Sequence, residues 1–215
     1  MTSSIGRKVT MSLTGLFFVL FLIVHLSGNF LLLAGDGGRA FNHYADFMAH
    51  NGLIQALAWI IKLLFAYHAV VGLLLWRQNR LAKGQRYAVR VTDNTGFAAR
   101  NMIWWGILLG IFLVVHLQDF WFKMHYGPIG MKDGVKDLAS VVYEEFSETG
   151  EVIFYVVCML ALGLHLWHGF DSAFQTLGAR HRKYDKLVRV LGFIFSIGLM
   201  LGFASIPVII YLTGH

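Results

Sequence analysis

The sequence predicts an all-α integral membrane protein: one domain over residues 1–215, a bundle of five transmembrane helices with its N-terminus in the cytoplasm. Three observations carry that expectation. Hydrophobic residues make up 57% of the chain and charged residues 14%, against roughly 45–50% and about 25% in a soluble domain. Five apolar stretches reach the ~20 residues needed to cross a hydrocarbon core. Basic residues gather in alternate connections between those stretches. A mean hydropathy of +0.60 and only 2 prolines suit long uninterrupted helices in lipid.

The five spans cover residues 9–33, 53–76, 101–122, 152–174 and 187–212. Arg7 and Lys8 precede the first. The second-to-third connection carries Arg77, Arg80, Lys83, Arg86, Arg90 and Arg100, and the fourth-to-fifth carries Arg180, Arg182, Lys183, Lys186 and Arg189. The other connections are mixed or acidic. Residues 35–52 hold Asp36, Arg39 and Asp46, and residues 123–151 hold Asp133, Asp137, Glu144, Glu145, Glu148 and Glu151 against three lysines. The positive-inside rule then places the N-terminus in the cytoplasm and the C-terminus outside. The net charge of +6 is a topology signal, and no nucleic-acid partner is needed to explain it. A signal peptide is a poor reading of the first span, whose apolar stretch is too long and ends in no small-residue cleavage site. Trp59, Trp76, Trp104, Trp105 and Trp121 lie near span ends, as interface aromatics do.

The single cysteine, Cys158, excludes an intrachain disulfide. With no Cys-x-x-Cys-His motif or cysteine cluster, covalent c-type haem and cysteine-held iron–sulfur sites are excluded too. Any redox cofactor is then held by other ligands. Of ten histidines, His25, His68, His116, His165 and His168 fall inside spans, where ionisable side chains are costly and mark function by default. The bland alternative for each is a hydrogen bond between helices.

Measured from the cytoplasmic end, His25 stands about 24 Å up, His116 about 22 Å, His165 about 14 Å and His68 about 12 Å. Two levels result, each with one histidine from each of two helices. That is the arrangement by which two neutral imidazoles hold a b-type haem iron from opposite faces. Spacing alone leaves His165 and His168 as alternative ligands. Gly28, Gly72 and Gly169 share a face with His25, His68 and His165, bordering a macrocycle or serving close helix packing.

The segments SLTGLFFVLFLIVHLSGN (12–29), YHAVVGLLL (67–75) and LHLWHGF (164–170), with AFN at 40–42, resemble the cytochrome b anchor of bacterial succinate:quinone oxidoreductases. The likeness is to the single-chain, five-helix, dihaem type that includes quinol:fumarate reductases, and it covers nearly the whole chain. It implies His25 and His116 as iron ligands of the haem distal to the cytoplasm, and His68 and His165 as those of the proximal one. It also chooses His165 over His168, because the family ligand precedes the helix-four glycine by four residues. By the same resemblance, a flavoprotein with FAD and an iron–sulfur subunit dock on the cytoplasmic face. Membrane quinone, often menaquinone in the dihaem type, is the redox partner. The setting is the bacterial inner (cytoplasmic) membrane, and the complex admits a higher oligomer.

No succinate site belongs to this chain on that reading; its part is electron transfer and reaction with quinone. Quinone chemistry also moves protons, which calls for a titratable group near a haem edge. Asp119, His43, Asp46 and His50 are the candidates on the outer side, His168 and Asp171 on the inner. A solvated loop or helix end is the quieter reading of each. Two other functions compete. A cytochrome b anchor of a hydrogenase or formate dehydrogenase would keep the haems and change the partner. A haem-free proton or ion transporter would be colourless and would favour broken helices and midplane acid pairs, which the sequence lacks.

Overall fold

The computed structural model describes residues 4–82, 100–179 and 181–214. The chain forms α1 (Ser4–Asn29), a 3-10 turn (Phe30–Leu33), α2 (Arg39–His50), α3 (Gly52–Ala82) and α4 (Met102–Tyr126). A two-stranded antiparallel hairpin follows, β1 (Met131–Lys132) and β2 (Val135–Lys136), then α5 (Leu138–Glu145), α6 (Thr149–Thr176) and α7 (Asp185–Thr213). Five helices, α1, α3, α4, α6 and α7, are long and apolar enough to cross a membrane. Each extends beyond the span read from hydropathy by a turn or less at most ends. Helices suit this solvent because every backbone donor and acceptor is satisfied within the segment. Hydroxyls inside α1 follow suit, Ser12 and Thr14 bonding back to the carbonyls of Lys8 and Thr10 at 3.0 and 2.9 Å.

Successive spans run in opposite directions, so the starts of α1, α4 and α7 share one face with the ends of α3 and α6. Arg77, Arg80, Arg100, Arg182, Lys183, Lys186 and Arg189 lie there; Lys83, Arg86, Arg90 and Arg180 fall outside the described residues. The opposite face carries α2, the hairpin and α5, and is called the capped face below.

The interior seam is α6 against α7. A third of the apolar window of α6 is buried, against 6% for α3 and for α4, so the latter two are peripheral and face lipid. Small residues let the backbones close. A Cβ at Gly192 would stand 2.5 Å from the Phe170 ring, one at Gly163 2.9 Å from Met200 Sδ, and one at Gly202 2.6 Å from Leu26.

The capped face is built around Asn42, which is 1% exposed. Its Nδ2 donates to Asp137 Oδ1 at 2.7 Å, and its Oδ1 accepts from Ala139 N at 2.8 Å. One amide thereby ties α2 to the start of α5. Gly38 allows the tie: its φ of 85° is a left-handed conformation, and a Cβ there would strike Ala139. Tyr143 Oη donates to Leu32 O at 2.9 Å, fastening α5 to the end of the first span. Phe41, Leu138, Val142, Phe146 and Val152 fill the space beneath, with Ile206 and Ile210 of α7.

Replacing Asn42 by Ala orphans the Ala139 amide, a loss of about 1–3 kcal/mol. The expected outcome is a lower thermal midpoint in detergent, with amide exchange rising in α2 and α5 before the spans. At the same face Arg39 Nε pairs with Asp133 Oδ2 at 2.9 Å. The hydrogen bond from Arg39, reinforced by its charge, holds the Asp133 carboxyl below the ordinary 3.8. A folded value below the unfolded one means the contribution is present above the ordinary value and is lost as pH falls through the lowered one. The Arg39 Nε–H resonance is expected to titrate with a midpoint below 3.8; a midpoint at or above it would mean the pair does not persist in solution.

Candidate functional site

Each span histidine lies in an apolar helix whose packing decides what the imidazole meets. Near the capped face, the ring centroids of His25 on α1 and His116 on α4 are 5.8 Å apart, with planes at 88°. Phe21 stacks on His25 at 5.2 Å, and Phe112 stacks on His116 at 5.4 Å. Toward the other face, His68 on α3 and His165 on α6 are 6.4 Å apart, with planes at 59°. Each pair joins two spans running the same way, first with third and second with fourth.

The two levels are set by ten-residue intervals. A Cβ at Gly15, ten residues before His25, would stand 3.6 Å from His68 Cε1; one at Gly106, ten residues before His116, would stand 3.6 Å from His165 Cε1. Ten helical residues rise about 15 Å. So α1 and α4 each give an imidazole to the upper pair and a glycine to the lower.

The imidazole nitrogens differ in what holds them. Thr14 Oγ1 lies 2.9 Å from His68 Nδ1 and also 2.9 Å from Thr10 O. A carbonyl only accepts, so the hydroxyl proton points to Thr10 and His68 Nδ1–H donates to Thr14. His68 Nε2 then keeps its lone pair. By contrast, Nδ1 of His116 and Nδ1 of His165 are buried with no hydrogen-bond partner among the described residues. Buried neutral imidazoles without a hydrogen-bond partner are groups that a metal ion such as iron takes up.

The glycines Gly28, Gly72 and Gly169 meet protein side chains. A Cβ at Gly28 would strike the Tyr44 ring, one at Gly72 would lie 2.9 Å from Met11 Cε, and one at Gly169 3.8 Å from Met102 Cε. The glycines facing the histidines are Gly15 and Gly106, on the partner helices. No spacing from the ligand on its own helix points to them, because the facing notch belongs to a neighbour. The ten-residue interval shared by His25 and His116 is the one signal that could have.

After His116 the helix widens into a π turn over Leu117–Phe122 before resuming at Lys123. Such turns recur at functional sites. The turn sends Asp119 toward α6, where Tyr155 Oη donates to Asp119 Oδ2 at 3.1 Å. Asp119 is buried, and the Tyr155 ring lies 6.3 Å from that of His116. Oxygens of Asp119, Glu145 and Glu151 fall within 4.8 Å of one another, and Lys123 Nζ, 3.1 Å from Glu145 Oε2, supplies this cluster with a cation. His43 and His50 are exposed on α2, where His50 pairs with Asp46 at 3.2 Å; the structure does not bring them to Asp119. His168 is half-buried one turn beyond His165, and Asp171 lies 4.0 Å from Arg189 at the opposite face from the cap.

The chain matches no protein-family model, no curated protein and no solved structure. What it can do chemically therefore rests on the site itself.

Tyr155→Phe removes one buried hydrogen bond and should lower stability by about 1 kcal/mol. Tyr155→Leu also empties space among Phe112, Phe120 and Phe146 and should cost about 2–4 kcal/mol. Thermal unfolding in one detergent orders the two; equal losses would mean the ring contributes nothing beyond its hydroxyl.

Proposed function

We propose that this chain is the dihaem cytochrome b anchor of a bacterial succinate:quinone oxidoreductase, carrying electrons between a cytoplasmic iron–sulfur subunit and membrane quinone. The observation that carries the reading is the pairing of four span histidines at two levels. Metal–imidazole bonds of about 2 Å put two rings on one ion with centroids about 6 Å apart. The observed 5.8 and 6.4 Å agree with that separation. The Nε2 lone pair left free on His68 by its bond to Thr14 and the glycines beside the lower pair fit the same donor set. The succinate and fumarate part of the proposal rests on the resemblance of the segments at 12–29, 67–75 and 164–170.

On this reading His25 and His116 would hold one haem and His68 and His165 the other, and these groups would supply one-electron carriers. The protein residues do the rest. A group held by two imidazoles would supply electron transfer. Thr14 fixes the tautomer and orientation of His68, the part that outer partners play for metal-bound histidine. Phe21, Phe112 and Phe18 keep water from the rings. The acid cluster with Tyr155 stands beside the upper pair as a proton reservoir. The inner membrane of a bacterium is the proposed location, with the basic face in the cytoplasm.

A dithionite-reduced minus oxidised spectrum with haem quantified per chain tests the reading. Two b-type haems per chain are expected, and a colourless protein would end it. His116→Leu should lose one haem of two and spare the other; loss of neither would overturn the ligand assignment. Thr14→Val, which removes the acceptor for His68 Nδ1–H, should move the midpoint potential of one haem and leave the second unchanged. Co-purification with a flavoprotein and an iron–sulfur subunit that oxidise succinate would separate this anchor from that of a hydrogenase or formate dehydrogenase.

A further inference from the structure

Lysine is costly within a membrane span, yet Lys62 stands ten residues past Gly52, about 15 Å into the second span. Its Nζ is buried, with no hydrogen-bond acceptor among the described residues. Two indoles enclose it: Nζ lies 3.6 Å from the ring centroid of Trp121 and 4.2 Å from that of Trp59. The two rings are 5.9 Å apart, edge to face. The His125 ring stacks on Trp121 at 4.5 Å, and its Nδ1–H donates to Trp121 O at 2.8 Å, so the cluster is packed closed. Cation–π attraction from two faces favours the ammonium over the neutral amine. A charge packed among rings is poorly screened, and it acts through its field rather than through a bond.

Height decides what that field reaches. Gly15 faces His68, and His25 lies ten residues further along α1, which sets the upper pair about 15 Å above the lower. Lys62 precedes His68 by six residues, about 9 Å toward the capped face. Its side chain reaches further the same way, to Trp121, five residues beyond His116. The ammonium therefore stands at the level of the upper pair. Sideways, the link is one layer of rings: Phe65, one turn from Lys62, meets Phe21 at 6.1 Å, and Phe21 stacks on His25. Packed helix axes lie about 8–10 Å apart, so about 10 Å of apolar side chains separates Lys62 from the upper pair. The acids of this level are turned to α6, where Tyr155 and Lys123 hold them.

We propose that Lys62 is a fixed internal cation that raises the reduction potential of the cofactor held by His25 and His116. The inference rests on the proposed function. Taking up one electron lowers the cofactor's charge by one unit, and a neighbouring ammonium opposes the more positive, oxidised form. No proton moves and no bond forms; Lys62 touches neither the iron nor a substrate, and its part is electrostatic. At an effective dielectric of about 20, a unit charge about 10 Å away shifts the equilibrium roughly tenfold, which for one electron is about 59 mV. The lower pair, more than two helical turns away along α3 from the ammonium's level, feels much less. Trp59, Trp121 and His125 keep the ammonium at depth against the cost of the membrane.

The test is an equilibrium redox titration of the haem-loaded full chain in lipid nanodiscs, followed by absorbance, with haem quantified per chain. Lys62→Met should lower the reduction equilibrium constant of the upper haem about tenfold and leave the haem content unchanged. Lys62→Gln repeats the measurement if Met disturbs the fold, and Lys62→Arg, which keeps the charge, should hold the parent midpoint. Two single-haem backgrounds assign the effect. With His68→Leu, which spares the upper haem, Lys62→Met should still shift the midpoint; with His116→Leu, which spares the lower, it should not. The shift should persist in high salt, because a buried charge is little screened. Unchanged midpoints in both neutral variants, an equal shift in Lys62→Arg, or a shift carried by the lower haem would each overturn the inference. A shift abolished by salt would do the same, by placing the charge at the surface. A colourless parent would defeat the proposed function and this inference together, whereas two haems with unmoved midpoints would defeat this inference alone.

Discussion

A buried imidazole in lipid must find a partner, and that constraint organises this bundle. Backbone groups are satisfied inside each helix, so the few polar side chains at depth decide which helices must meet and at what height. Four histidines on four different spans bring α1 to α4 and α3 to α6. The arrangement requires α6 inside, touching both α1 and α4, with α7 closing behind it on small residues at Gly163 and Gly192. The peripheral places left to α3 and α4 expose leucine, isoleucine and valine to acyl chains, the natural outward face of a membrane helix.

The two levels differ in how completely protein atoms satisfy them. At the lower level Thr14 holds His68, and a single hydroxyl fixes which nitrogen stays free. At the upper level aromatic rings surround both imidazoles; each level keeps one unpartnered nitrogen, on His116 above and on His165 below. The upper level is also where polar groups accumulate. The π turn after His116 lies where residues two apart serve two neighbours. Asp119 joins Tyr155 on α6, and Trp121 joins Lys62 on α3. One helix end thereby borders an acidic cluster on one side and a cationic aromatic box on the other, both within reach of the same histidine pair.

The capped end carries three further elements that pack over these groups. Helix α2, the hairpin and α5 bury Asn42 and a cluster of aromatic and aliphatic side chains over the ends of α1, α4 and α7. That lid holds the last turn of α4 in place through Lys136 Nζ to Met124 O at 2.6 Å and through Lys123 to Glu145. The positions of Asp119 and Trp121 therefore depend on residues far along the chain.

Hydropathy alone was enough to determine five spans and to place their ends within a few residues, because the length and apolarity a bilayer demands are local properties. The depth of each histidine was equally legible, since rise per residue is constant along a helix. What faces what was not. Gly28 lies on the same face as His25 yet receives Tyr44, while Gly15 and Gly106 face the lower pair from other helices. Lys62 reads as one basic residue in an apolar run until Trp121, fifty-nine residues later, closes over it. Rotation of each helix about its axis, the π turn in α4 and the docking of α2 on α5 are outcomes of packing between distant segments. Only the tertiary structure decides them, because a notch or a donor acquires meaning from the neighbour that fills it.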